Sequence, residues 1–146
     1  MLTDLLRRLA APAPEPLAEP DARLALAALL VRVARTDGDY AAVERARIDA
    51  VLARRHGLDT EGAARLRADA ETLEAEAPDT VRFTRALKDA TALEDRTALL
   101  EALWAVVLAD GVRDDDEDAL MRLVASLLGV NDRDSNLARR RVERDG

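Results

Sequence analysis

Two matched pairs of acidic residues are the part of this chain best placed to do chemistry. Asp37 precedes Gly38 and is followed seven residues later by Glu44, and Asp110 precedes Gly111 and is followed seven residues later by Glu117. A turn at each glycine brings the next helix back, so a Glu on its second turn can face the Asp. Oxygen ligands of this kind suit hard divalent cations such as calcium, magnesium or manganese. Asp39 and Asp114 add secondary carboxylates and are expected to cap the helices that follow. The stretch Asp37-Gly38-Asp39 shares its opening with a calcium loop. Neither turn, however, supplies ligands at alternate positions or the bidentate Glu at the twelfth position of an EF-hand.

Two readings of these turns compete. The structural one is helix termination, because glycine takes a left-handed conformation cheaply and acidic residues are favoured at the next helix start. In that reading the run Asp114, Asp115, Asp116, Glu117, Asp118 is a solvated helix N-terminus. It leaves Asp37 and Asp110 at the C-terminal end of a helix, where negative charge is unfavourable by a few tenths to about 1 kcal/mol. A bound cation, or a basic surface on a protein partner, removes that cost.

Other chemistry is poorly supplied. There are no cysteines, and His56 is the single histidine, which excludes thiolate and multi-histidine sites. No Gly-rich phosphate loop or nucleophile motif is present, so an enzyme is not expected. His56 stands beside Gly57 and reads as a helix-end residue favoured by the dipole. Acidic residues outnumber basic ones 29 to 22, for a net charge of −7, so nucleic acid is not an expected partner. No apolar run approaches the roughly 20 residues of a membrane span. Without a secretory signal or cysteines, a cytoplasmic location is expected. The segment from Met1 to Ala11 is short and amphipathic through Leu2, Leu5, Leu6 and Leu9. It suits a docking helix, or peripheral contact with a membrane. Arg139, Arg140, Arg141 and Arg144 either complement a helix dipole or dock a partner.

These residues need helices to position them. Ala, Leu, Arg, Asp and Glu dominate, while aromatics are only 2%, which favours helix over strand. The expectation is all-α, a compact bundle of about seven to eight helices. Residues 1–19 read as an N-terminal amphipathic helix and a proline-rich linker (Pro12, Pro14, Pro16, Pro20), and residues 20–146 as the helical domain. Within it, a helix carrying Leu24, Ala27, Ala28, Val31 and Ala34 should end at Gly38. A second should run from Tyr40 to His56 with Asp39 as N-cap and Gly57 in a left-handed turn. An alanine-rich, largely solvated helix is predicted over Thr60 to Ala77, and one with Val81, Phe83, Leu87 and Ala90 after Pro78. Leu93 to Asp110 is the most apolar segment and should be central, with Trp104 as a core anchor. Asp114 to Leu128 closes at Gly129. Asn131 or Asp132 caps a last helix ending near Glu143.

An offset of 73 residues superimposes the two halves of the sequence. Leu26 falls on Leu99, Leu30 on Leu103, Val33 on Val106 and Val51 on Val124. Asp37, Gly38 and Glu44 fall on Asp110, Gly111 and Glu117. An internal pseudo-two-fold repeat is therefore expected, with paired helices packed together.

The repeated pattern resembles the TerB-like family, the tellurite-resistance domain also found at the N-terminus of the membrane-anchored DjlA co-chaperone. The residues carrying the resemblance are Ala34 to Gly38 followed by Glu44, and Val106-Val107-Leu108-Ala109-Asp110-Gly111 followed by Glu117. Leu127-Leu128-Gly129-Val130 extends it, so it covers about Leu24 to Val130. The resemblance implies a helical bundle and a non-enzymatic role in bacterial stress or tellurite response. It also implies acidic residues that engage a metal ion or partner, here Asp37, Glu44, Asp110 and Glu117. Val112 and Arg113 stand where the first half has Asp39 and Tyr40, so the two turns differ chemically. No DnaJ domain is expected to follow, and no transmembrane segment to precede, so a co-chaperone role in cis is not expected. The alternative to a ligand-engaging module is a structural interaction domain that forms a homodimer without metal.

Overall fold

The computed structural model describes residue 6 and residues 19–36, 40–76, 80–108 and 115–145. They form seven α-helices: α1 (Glu19–Ala34), α2 (Ala42–His56), α3 (Thr60–Glu76), α4 (Thr80–Ala90), α5 (Arg96–Val107), α6 (Asp115–Leu127) and α7 (Asp132–Asp145). A short 3-10 turn, Leu93–Asp95, leads into α5. Leu6 is helical and packs against the core. The rest of the expected N-terminal helix, the linker before Glu19 and Pro78 lie outside the described residues. Among the described residues no helix is long and apolar enough to cross a membrane.

Two helices share the centre. Residues Ala25 to Val31 of α1 are all 0–2% exposed. A stretch apolar on every side must be covered on every side, and α1 accordingly packs on α2, α3, α4, α5 and α6. The predicted central segment is the second, and it is shorter than expected. Leu93–Asp95 forms the 3-10 turn and the α-helix ends at Val107, so α5 spans Arg96–Val107. The break coincides with a side-chain contact. The Arg96 side chain donates to the carbonyls of Lys88 (3.2 Å) and Thr91 (3.3 Å), satisfying acceptors that the end of α4 leaves over. Leu99, Leu100, Leu103, Trp104, Val106 and Val107 are buried along α5. Trp104 is a core anchor: it is 5% exposed, and its indole N–H donates to Ser135 Oγ on α7 at 3.3 Å.

The most extensive helix pairings are α1 with α3 and α5 with α7. The α3 helix is less solvated than its composition suggests, because Ala63, Ala70 and Leu73 form a buried stripe against its neighbours. The arginines of the last helix also differ from expectation. The helix continues to Asp145, so Arg139 and Arg141 lie in its body rather than in its last turn. Arg139 lies over the Trp104 ring at 5.9 Å, and Arg141 donates to Glu101 Oε1 at 2.6 Å. Both fasten α7 to α5.

Helix ends follow their expected chemistry at three places. Gly57 (φ 65°) and Gly129 (φ 78°) are both left-handed. Each is followed by an N–H that reaches back across the turn, from Leu58 to Ala53 O at 3.0 Å and from Val130 to Ala125 O at 2.9 Å. Asn131 caps α7, its Oδ1 accepting from the Asp134 N–H at 2.8 Å.

Candidate functional site

The helices flanking the two Asp-Gly turns have matching limits. Each preceding helix ends three residues before the Asp, at Ala34 and at Val107, and each following helix starts five residues after it, at Ala42 and at Asp115. The first helix thus stops short of Gly38, where the sequence predicted its end. Asp37, Gly38, Asp39, Asp110, Gly111 and Asp114 themselves lie outside the described residues, as do Val112 and Arg113.

Glu44 and Glu117 are described, and neither is a surface carboxylate. Glu44 is 2% exposed and Glu117 is 1% exposed. Each begins the buried stripe of its helix, Glu44 with Ile48 and Leu52, Glu117 with Met121, Val124 and Ala125. Withdrawing a carboxylate from water is costly unless polar or charged groups compensate it. For Glu44 part of the compensation is visible, since its Oε1 accepts from the backbone N–H of Ala41 at 3.4 Å. Ala41, rather than Asp39, occupies the N-cap position of α2. Its side chain has no acceptor, so the helix start depends on Glu44 reaching back. The acidic run at the second turn is only partly solvated. Asp115 and Asp116 are exposed, whereas Glu117 is buried and Asp118 half-buried. Hydropathy hides this, because a buried Glu inside a charged run leaves no apolar signal. Its spacing from Met121 and Val124 is the clue.

Sequence reasoning missed a pair of arginines on the ring of Tyr40. The ring of Tyr40 has the Arg35 guanidinium over it at 5.1 Å and that of Arg45 at 4.6 Å. Burial pushes the Tyr40 hydroxyl up to about 12; the Glu71 carboxylate adds to this and the Arg67 guanidinium opposes it. Arg67 in turn donates to Asp49 Oδ1 at 2.6 Å and Glu71 Oε2 at 3.3 Å. Glu74 on α3 holds the end of α1 by accepting from Arg35 at 2.8 Å and Arg32 at 3.4 Å. At the 73-residue offset, Arg35, Tyr40 and Arg45 correspond to Leu108, Arg113 and Asp118. The two arginines on Tyr40 thus have a leucine and an aspartate as their counterparts in the second half.

The α2 and α6 helices, which carry Glu44 and Glu117, are not among the helix pairs in extensive contact; α2 packs on α5, and α6 on α1. Among the described residues no group of three or more His, Asp or Glu converges as a metal site.

Neither the comparison with curated proteins nor that with solved structures gave a match. The family description "Tellurite resistance protein TerB" matches residues 23–140, which run from the second turn of α1 through most of α7. With most of its length matched and both buried glutamates inside the match, this chain belongs to the TerB family.

Proposed function

We propose that this chain is a pseudo-two-fold TerB module whose Asp-Gly turns engage a cationic ligand through Asp37, Glu44, Asp110 and Glu117, with Asp39 and Asp114 as secondary carboxylates. As a TerB domain it is a non-catalytic module of the stress-response type. Tellurite or another bacterial stress in the cytoplasm is the proposed setting. The cationic ligand is a divalent cation, calcium, magnesium or manganese, or the basic surface of a protein partner.

The observation that carries this reading is the shared burial of Glu44 and Glu117 at matching places in the two halves. The packing supports the repeat. Under the correspondence of α1 with α5, α2 with α6 and α3 with α7, each pairing among these six helices has its counterpart, while α4 stands outside the repeat. The pairing α1–α3 matches α5–α7, α2–α3 matches α6–α7, and α2–α5 matches α1–α6. The register slips by one residue inside the second helix of each half. Glu44 and Glu117 are 73 apart, whereas Gly57 and Gly129 are 72 apart. Beyond the slip, Asp59 accepts from the Gly62 N–H at 2.7 Å much as Asn131 accepts from Asp134.

Thermal melting in the presence of each cation tests the reading. A ligand that binds only the native state stabilises it by RT ln(1 + [L]/Kd), about 2.7 kcal/mol at a hundredfold excess over Kd. Millimolar calcium, magnesium or manganese is expected to raise the Tm of the wild type, and Asp110→Asn to reduce the rise. A basic peptide giving the same Asp110-dependent rise, with the metals inactive, assigns the turns to a protein partner. If neither ligand shifts either protein, the turns are structural helix stops and the proposal fails.

A further inference from the structure

The outward faces of α3 and α7 hold equivalent places in the two halves and differ in charge. At an offset of 72 residues, buried Ala63 and Ala70 of α3 fall on buried Ser135 and half-buried Val142 of α7. The faces turned to solvent therefore correspond as well. On α7, Arg133, Leu137, Arg140 and Arg144 recur at i, i+4, i+7 and i+11, which sets them in one stripe. On α3, Arg65, Asp69, Thr72 and Glu76 have the same spacing. All eight residues are exposed.

The charges on these stripes are largely unspent. The other arginines in the body of α7 are used within the chain, Arg139 with Glu143 at 3.4 Å and Arg141 with Glu101 at 2.6 Å. Arg133, Arg140 and Arg144 form no ion pair with another described residue, and neither do Asp69 and Glu76. Arg65 is the exception, since it is neutralised by Glu61 at 3.1 Å. Leu137 is a large hydrophobic left 37% exposed in the middle of the basic stripe. The two stripes do not meet within one molecule, because α3 and α7 are not among the helix pairs in extensive contact.

We propose that copies of this chain associate head to tail, the α7 stripe of one lying antiparallel on the α3 stripe of the next. In that arrangement the shared spacing sets Arg133 against Glu76, Leu137 against Thr72 and Arg140 against Asp69. Arg144 meets the neutral Glu61–Arg65 pair. A parallel arrangement would set Arg133 against Arg65 and Leu137 against Asp69, so charge selects the antiparallel one. A second copy is the occupant that suits both stripes at once, and the contact is heterologous because each copy offers one of each. Exposed ion pairs contribute little individually, so the association is weak, salt-sensitive and of the transient class. None of these residues belongs to the Asp-Gly turns, and the reading stands apart from what the turns bind.

Sedimentation velocity of the full chain, over concentrations up to millimolar, is the test. At about 0.1 M salt the weight-average sedimentation coefficient is expected to rise with concentration. At about 1 M salt, where the screening length falls from about 10 to about 3 Å, the rise should vanish. Arg133→Glu with Arg140→Glu, and separately Asp69→Lys with Glu76→Lys, should each weaken association about tenfold or more. Mixing these two double variants should restore it, because each then meets a stripe of opposite sign. Arg47→Glu with Arg54→Glu, at exposed positions of α2, alters net charge as the first double variant does and should leave association unchanged. The proposal is overturned if the wild type stays monomeric at every concentration, or if its association persists at about 1 M salt. It is equally overturned if the α2 variant weakens association as much as the α7 variant, or if the mixture fails to restore it.

Discussion

Glu44 and Glu117 are each the third residue of their helix, and both are buried to within 2% of complete exclusion from solvent. At that position a side chain can return to the helix start, as Glu44 does to the Ala41 N–H. Replacing a buried hydrogen-bonded polar group leaves its partners without their acceptor, at about 1–3 kcal/mol. Glu44→Ala and Glu117→Ala should each lower stability in urea by about that much, and Glu→Gln by less, because the amide oxygen still accepts. Equal stability of Glu44→Ala and wild type would show that the capping contact contributes nothing.

Trp104 joins α5 to α7 in two ways, through the volume of its ring and through its bond to Ser135. Trp104→Ala is expected to cost about 3–5 kcal/mol. Ser135→Ala should cost less, about 1–3 kcal/mol, because only the indole N–H loses its acceptor. Denaturation followed by far-UV circular dichroism reads both without relying on the fluorescence of the only tryptophan.

Tyr40 predicts a loss of stability in alkali. The folded chain holds its hydroxyl proton up to about pH 12, against an ordinary value of 10.0. Below the ordinary value both states are protonated. Between the two values the unfolded chain releases the proton and the folded chain keeps it, so stability falls as pH rises through that window. Tyr40→Phe should remove this part of the fall. Tyr40 is the only tyrosine, so tyrosinate absorbance reads it directly. Native titration near the ordinary value would contradict the buried setting.

Gly57 and Gly129 both need a left-handed backbone. A Cβ on Gly57 meets nothing within 4 Å, and one on Gly129 would sit 3.7 Å from the Lys88 Cε, an ordinary contact. The penalty for alanine is therefore conformational at both sites, about 1–2 kcal/mol. Chemical denaturation of Gly57→Ala and Gly129→Ala should give similar losses. A much larger loss at Gly129 would mean that its surroundings resist the added carbon.

Much of the architecture was legible in the sequence because its signals are local. Gly57, Gly129 and Asn131 mark helix ends through their own backbone or side-chain chemistry, and apolar spacing located α2, α6 and the burial of Trp104. Features depending on distant residues were harder to read. The start of α5 at Arg96 is tied to carbonyls at and just beyond the end of α4, five and eight residues away. The arginines of α7 looked like a dipole-balancing tail, yet Arg139 and Arg141 are spent on Trp104 and Glu101. At the candidate site the pairing of the glutamates was visible as a repeat, but their burial was masked by the charges around them.

The most direct test of the central claim is manganese-induced broadening of backbone amide resonances in the full chain. A paramagnetic ion reports its position by broadening the amides near it. The account predicts broadening centred on the two turns and on the first turns of α2 and α6, around Glu44 and Glu117, with the α6 component lost in Asp110→Asn. Uniform weak broadening of exposed acidic positions such as Glu61 and Asp69, with the amides around Glu44 and Glu117 unaffected, would contradict it.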